Sequence, residues 1–227
     1  MFLGVFKITK CIYFDTETTG LDFKNSRIIE LAMLTVEDDE IIEEYDKFIR
    51  INSFIPPKIV EITGITDEML VNEGVDEKII AQDLKDRLKK GTLMIAHNAQ
   101  FDLSFLYNLL KRHFPDEAFD IVFNCKWLDT YSVLKDIKEY PHKLIDAVHY
   151  YGIKEVNFHR AIDDTKALYE VTKHLKDEYP ENFTDYANVF GYNPKYGVNG
   201  DKFPFIEYKA QYYCRRKRSV VEFLPNK

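Results

Sequence analysis

Cysteine is scarce in this chain of 227 residues: Cys11, Cys125 and Cys214 are odd in number and stand at no paired metal-ligand spacing. That excludes a disulfide framework and fits a reducing, cytoplasmic setting. No apolar run approaches the roughly eighteen residues that a membrane span needs, so no membrane partner is expected. Met1 to Phe14 does not read as a signal peptide, because Lys7 and Lys10 interrupt it, no small-residue cleavage site follows, and it runs directly into an acidic motif. Internal repeats and low-complexity tracts are absent. Basic charge is also in short supply, the net charge being −7, which weighs at first against a polyanionic partner.

The charge is unevenly spread. From Tyr186 to Lys227 eight Lys or Arg face three Asp or Glu, a net of +5, so residues 1–185 carry −12. Closely spaced acids account for part of that excess, and positive charge held among them would reverse its local sign. With 45% hydrophobic residues the chain can bury a sizeable core, most simply as one domain, residues 1–185, with a small appendage, residues 186–227.

Hydrophobic periodicity predicts three strands, Cys11–Phe14, Ile28–Val36 and Ile41–Ile51, joined by turn-like residues 20–26 and 37–40 as an antiparallel meander. Pro56-Pro57 ends strand character, and Gly64 breaks a short helical stretch. Asp76–Lys90 then reads as an amphipathic helix with Ile79, Ile80, Leu84 and Leu88 on one side. A further strand, Leu93–Ala96, ends at His97-Asn98, where Asn98 stands as N-cap of a helix carrying Phe101 to Arg112. Helices over Leu128–Lys138, Lys143–Tyr151 and Asp163–Lys176 complete an α/β fold, a mixed sheet covered by helices on both faces. Ten of the last 42 residues are Phe or Tyr, which predicts short strands or a hairpin around Asn199-Gly200. The run Arg215-Arg216-Lys217-Arg218 either packs on the domain or contacts nucleic acid or a partner.

Four carboxylates and one histidine stand out within three short motifs: Tyr-Phe-Asp-Thr-Glu-Thr-Thr-Gly, His-Asn-Ala-Gln-Phe-Asp and His-Arg-Ala-Ile-Asp-Asp. Asp15 and Glu17, two apart on a strand, point to one face. Asp102 heads an apolar stripe with Leu106 and Leu109, and Asp164 heads another with Leu168, Val171 and Leu175. A carboxylate in such a place is partly desolvated, which costs several kcal/mol unless a cation or donors compensate. All-oxygen ligands select hard cations such as Mg²⁺ or Mn²⁺, and a pair of them about 4 Å apart can clamp a phosphodiester for in-line attack. His159, five residues before Asp164, is placed to take a proton from the attacking water. Asp163 reads as a first-turn acid and Asp129 as a cap for the following helix, while His113, His142, His149 and His174 show no metal spacing.

These three motifs resemble those of the DEDDh class of 3′-5′ exonucleases, the group that includes the proofreading epsilon subunit of bacterial DNA polymerase III. Asp15-x-Glu17 matches the first motif, Asp102 the second, and His159-x-Ala161-x-x-Asp164 the third, over about residues 11–176. The sister class places Tyr four residues before the last acid; here that position is Arg160. The resemblance implies a ribonuclease H-like fold with a central five-stranded mixed sheet. It implies two divalent cations, one held by Asp15, Glu17 and Asp164, the other by Asp15 with Asp102. His159 would be the general base, and nucleoside 5′-monophosphates would leave one at a time. It further implies that Thr18, Thr19 and Gly20 grip the terminal nucleotide, that Leu21 wedges beside its base, and that His97 and Phe101 line the same pocket.

The expected substrate is a single-stranded or frayed 3′ end, with DNA favoured over RNA because the motif wording resembles polymerase-associated members. No polymerase is fused to this chain, so proofreading implies docking to a polymerase in trans. RNA 3′-end trimming by the same chemistry is the alternative enzymatic reading. A non-catalytic binding subunit is the third, opposed by the intact set of five positions.

Overall fold

A computed structural model describes residues 10–154, 159–178 and 183–211. Strands β1 (Lys10–Thr18), β2 (Ile28–Glu37) and β3 (Glu40–Arg50) form the expected antiparallel meander. Helices α1 (Pro57–Thr63) and α2 (Asp67–Glu73) follow, and Gly64, at φ 70°, ends the first in the left-handed turn that glycine accepts most readily. Residues Val75–Asp76 form a two-residue strand, β4, against the end of β3, and the Asp76 side chain caps helix α3 (Glu77–Arg87).

On the other side of β1, strand β5 (Leu93–Ala96) pairs in parallel, and β6 (Lys126–Asp129) pairs in parallel with β5. The sheet has six strands in the order β4-β3-β2-β1-β5-β6, one more than expected because of the short β4 edge. Between β5 and β6 the chain makes helices α4 (Ala99–His113) and α5 (Ala118–Phe123). The helix expected from Leu128 instead begins at Thr130 as α6 (Thr130–Ile137), because Trp127 and Leu128 are fully buried strand residues. A four-residue strand with only two apolar residues carries too little periodicity to separate strand from helix. Helices α7 (Leu144–Tyr151) and α8 (Ala161–Glu178) complete this part.

The pleat divides the core in two. Ile12, Phe14, Met94 and Ala96 face a cluster with residues of α3, α4 and α5, whereas Cys11, Tyr13, Leu93 and Ile95 face one with residues of α6, α7 and α8. Burial on both faces explains why β2 is almost continuously apolar.

Beyond α8, a short 3-10 turn (Phe183–Tyr186) leads to β7 (Val189–Tyr192) and β8 (Glu207–Ala210). These two strands pair in parallel, so the Asn199-Gly200 segment is part of a crossover and not the tip of a hairpin. Asn188, at φ 62°, locks the unit to β6: its backbone N–H donates to the Trp127 carbonyl at 2.6 Å and its side-chain oxygen accepts from the Trp127 N–H at 2.8 Å. Phe190, Phe203 and Ile206 join the core cluster of α4. The Arg215–Arg218 run lies outside the described residues.

Candidate active site

The acidic motif at the end of β1 sits where the sheet pairing slips. Glu17 lies opposite Glu30 of β2, and the register shifts between Glu17 and Thr18. By the pleat, Asp15 and Glu17 continue the face of Cys11 and Tyr13, on which α8 packs. Thr16 points the other way, and its hydroxyl donates to Asp102 Oδ1 of α4 at 2.6 Å. After β1 the chain turns sharply: the Thr18 hydroxyl donates to the Gly20 carbonyl at 2.7 Å, and Thr19 exchanges bonds with the Arg27 backbone at 2.9 Å. Leu21 is 78% exposed on this loop.

Two helix starts bring the remaining acids in. Asn98 is not the side-chain cap expected of it: its backbone is left-handed at φ 70°, and its side chain makes no capping bond. Asp129 at the end of β6 does this work, its Oδ1 accepting from the N–H groups of Asn98 at 2.8 Å and Ala99 at 3.1 Å. The same carboxylate caps α6 through Tyr131 and Ser132. Asp129 thus fixes the start of the helix that carries Asp102.

At the start of α8, Asp164 is buried, and its Oδ2 accepts from the His159 N–H at 3.1 Å. His159 is exposed and holds φ 73°, a conformation uncommon outside glycine and suited to a sharp turn into a helix. Glu17, His159 and Asp164 each offer a ligand atom, all within 4.8 Å of one another. Asp164 Oδ1 is buried with no hydrogen-bond partner among the described residues.

Burial, with crowding behind it, raises the proton affinity of Asp15, Glu17, Asp102 and Asp164. Burial pushes Asp15 well above the usual carboxylate range, with Asp102, Asp164, Glu17 and Glu30 adding to the effect. Glu17 is pushed up to about 8 by burial and then by Asp164, Glu30 and Asp102, with Arg160 opposing. Burial likewise raises Asp102 to about 7 and Asp164 to about 6, against the bonds from Thr16 and the His159 backbone respectively. A divalent cation bound among these oxygens would favour their ionised forms. The donor set and the orphaned Asp164 oxygen fit such an ion.

Two expected pocket residues have other partners. Both ring nitrogens of His97 are engaged, Nδ1 with the Thr130 hydroxyl at 3.0 Å and Nε2 with the His142 carbonyl at 2.9 Å. The Phe101 ring packs on Phe105 at 4.7 Å between centroids, against the α4 side of the core. One residue of the site escapes a reading of the motifs, Glu30. It is fully buried and binds both Arg160 and the Ala161 N–H, so it anchors the first turn of α8. Its signal was a charged residue inside the apolar run Ile28–Leu34.

The sequence matches the RNase_T family model, described as exonuclease, over residues 12–172. It is 33% identical over 165 residues to the DNA polymerase III subunit epsilon of Treponema pallidum, covering 70% of this chain and 72% of that protein. It is 32% identical over 193 residues to the PolC-type DNA polymerase III of Clostridium perfringens, covering 84% of this chain but only 13% of that protein. Among solved structures, the zinc-bound E. coli ExoI–ssDNA complex superposes with a TM-score of 0.69 at 21% identity, covering 78% of this chain and 42% of that one.

Proposed function

The chain belongs to the RNase_T exonuclease family, and from that premise we propose that it hydrolyses phosphodiester bonds from the 3′ end of DNA and releases nucleoside 5′-monophosphates. The observation that carries this reading is the convergence of Glu17, His159 and Asp164 within 4.8 Å, beside Asp15 and an orphaned Asp164 oxygen. Asp15, Glu17 and Asp164 would hold one divalent cation, Mg²⁺ or Mn²⁺, and Asp15 with Asp102 a second. When bound, such ions act as Lewis acids on the phosphate and lower the pKa of water.

The chain's own residues do the rest. His159, exposed and tied by its backbone to Asp164, accepts the proton of the attacking water at an imidazole nitrogen. The water oxygen bonds to phosphorus as the bond to the 3′ oxygen of the preceding nucleotide breaks. The Thr18–Gly20 turn would grip the terminal nucleotide and exposed Leu21 would wedge beside its base, with the rings of His97 and Phe101, fixed by their own partners, lining the pocket. Residues 1–185 would carry this chemistry and residues 186–227 make up the appendage, of which the described part, residues 186–211, packs on the domain through Phe190, Phe203 and Ile206.

A DNA substrate is supported by the polymerase III relatives and by the single-stranded DNA bound in the structural neighbour. The same relatives support a polymerase partner, so the protein would proofread in trans. No described helix is long and apolar enough to cross a membrane. Side-by-side digestion of single-stranded DNA, duplex DNA with a mismatched 3′ end, and RNA, each labelled at either end, tests the assignment. Mg²⁺-dependent mononucleotide release from the 3′ end of DNA, faster than from RNA, is expected; internal cleavage or a preference for RNA would overturn it.

A further inference from the structure

A cavity of about 370 Å³ opens at the start of α4, and its lining includes two lysines, Lys135 and Lys143, and, among the described residues, no Asp or Glu. In a chain of net charge −7 such a wall is unexpected. The cavity is lined by His97 and Asn98, where β5 passes into α4, the helix that carries Asp102. Much of the opposite wall comes from residues 190–208, past the stretch 12–172 that the family model matches.

The lining combines aromatic surface with charge. The partly buried ring of Tyr192 stands in the wall, the Tyr131 ring is engaged by the Lys135 ammonium at 5.3 Å and by His97, and Tyr208 is held by donating its hydroxyl to Gln100 Oε1 at 2.9 Å. Lys135 is buried near Asp129 and Asp136, which offset its charge, whereas Lys143 is exposed at the start of α7. Apolar ring faces beside a solvent-facing cation are what a single-stranded nucleic acid needs, since bases stack on aromatic rings and phosphates seek lysine. A volume of this size is at the lower end of those that hold small ligands.

We infer that this cavity is a binding site for an upstream nucleotide of the strand being degraded, with its base against Tyr192 and its phosphate on Lys143. The inference rests on the nuclease reading above for its place in the reaction, but not for the binding itself. The pocket adds affinity for a strand and contributes nothing to a substrate that ends at the scissile phosphate.

Lys143→Ala and Tyr192→Ala in the full chain test this with two probes. A fluorescein-labelled oligothymidylate in EDTA reads binding without turnover, and the p-nitrophenyl ester of thymidine 5′-monophosphate with Mn²⁺ reads the chemical step without an upstream nucleotide. Each variant is expected to weaken oligothymidylate binding about tenfold while ester hydrolysis stays within about twofold of the parent. Unchanged oligothymidylate affinity in both variants would overturn the inference, and so would a parallel loss of both readouts. Weakened binding with no ester hydrolysis even by the parent would keep the pocket and sink the nuclease reading instead.

Discussion

Glu30 of β2 and Arg160 at the head of α8 form a two-point ion pair, in which the guanidinium Nε and Nη2 donate to one carboxylate oxygen at 2.9 and 2.8 Å. The other oxygen of Glu30 takes the Ala161 N–H at 2.9 Å. Glu30 is the strand partner of Glu17, so one side chain ties the acidic end of β1 to the segment that presents His159 and Asp164. The Arg160 guanidinium also lies 5.0 Å from the Phe48 ring centre and offsets the charge of Glu17.

Glu30→Gln keeps the shape and removes the charge. Because the Arg160 side chain is 37% exposed, water relieves part of the loss, and a destabilisation of about 1–2 kcal/mol is expected. Turnover should fall further than that loss of folded protein explains, since the turn that holds His159 loosens. Denaturant midpoints measured beside turnover check this; a stable variant of full activity would show that Glu30 positions nothing.

The crowded acids also set a pH dependence of stability in the absence of divalent ions. Asp164, Asp102 and Glu17 start from ordinary values of 3.8, 3.8 and 4.5 and are raised in the folded protein to about 6, 7 and 8. Between about pH 4 and 8 the folded state therefore holds more protons than the unfolded one, and stability must fall as pH rises through that window. Thermal melts in EDTA should show Tm dropping from about pH 5 to pH 8, and added Mn²⁺ should restore it, most strongly at the higher pH. Asp15→Asn should flatten the profile. A Tm in EDTA that climbs across this range contradicts the proposed crowding.

His159 is assigned to proton transfer, with the acids left to hold the ions. His159→Ala should lower turnover by about a hundredfold or more while Mn²⁺ affinity, followed by calorimetry, changes little. A parallel loss of both would make the imidazole a ligand or a structural group.

Much of this was legible in the chain because strands and motifs coincide. The period-two pattern of β1 set Asp15 and Glu17 on one face, and the period of α8 put Asp164 above its apolar stripe. Strand β6 was hidden because Lys126–Asp129 is too short to show a period, and its burial depends on β5 and α5 lying alongside. The cap at α4 was misread for a related reason. Asn98 has the right side chain for the role, but the donor groups are met by Asp129, thirty-one residues away in sequence. Glu30 and Arg160 could be singled out as charges, but their pairing spans 130 residues of sequence and appears only in three dimensions.

The central claim, that these acids hold ions which drive 3′-end hydrolysis, is met most directly by release of nucleoside 5′-monophosphates from a 3′-labelled single strand. Parent protein and Asp164→Asn are compared in Mg²⁺ and in EDTA. The parent should work only with Mg²⁺, and Asp164→Asn should lose about a thousandfold or more in turnover while keeping its circular dichroism spectrum. Full turnover by Asp164→Asn, or by the parent in EDTA, would contradict it.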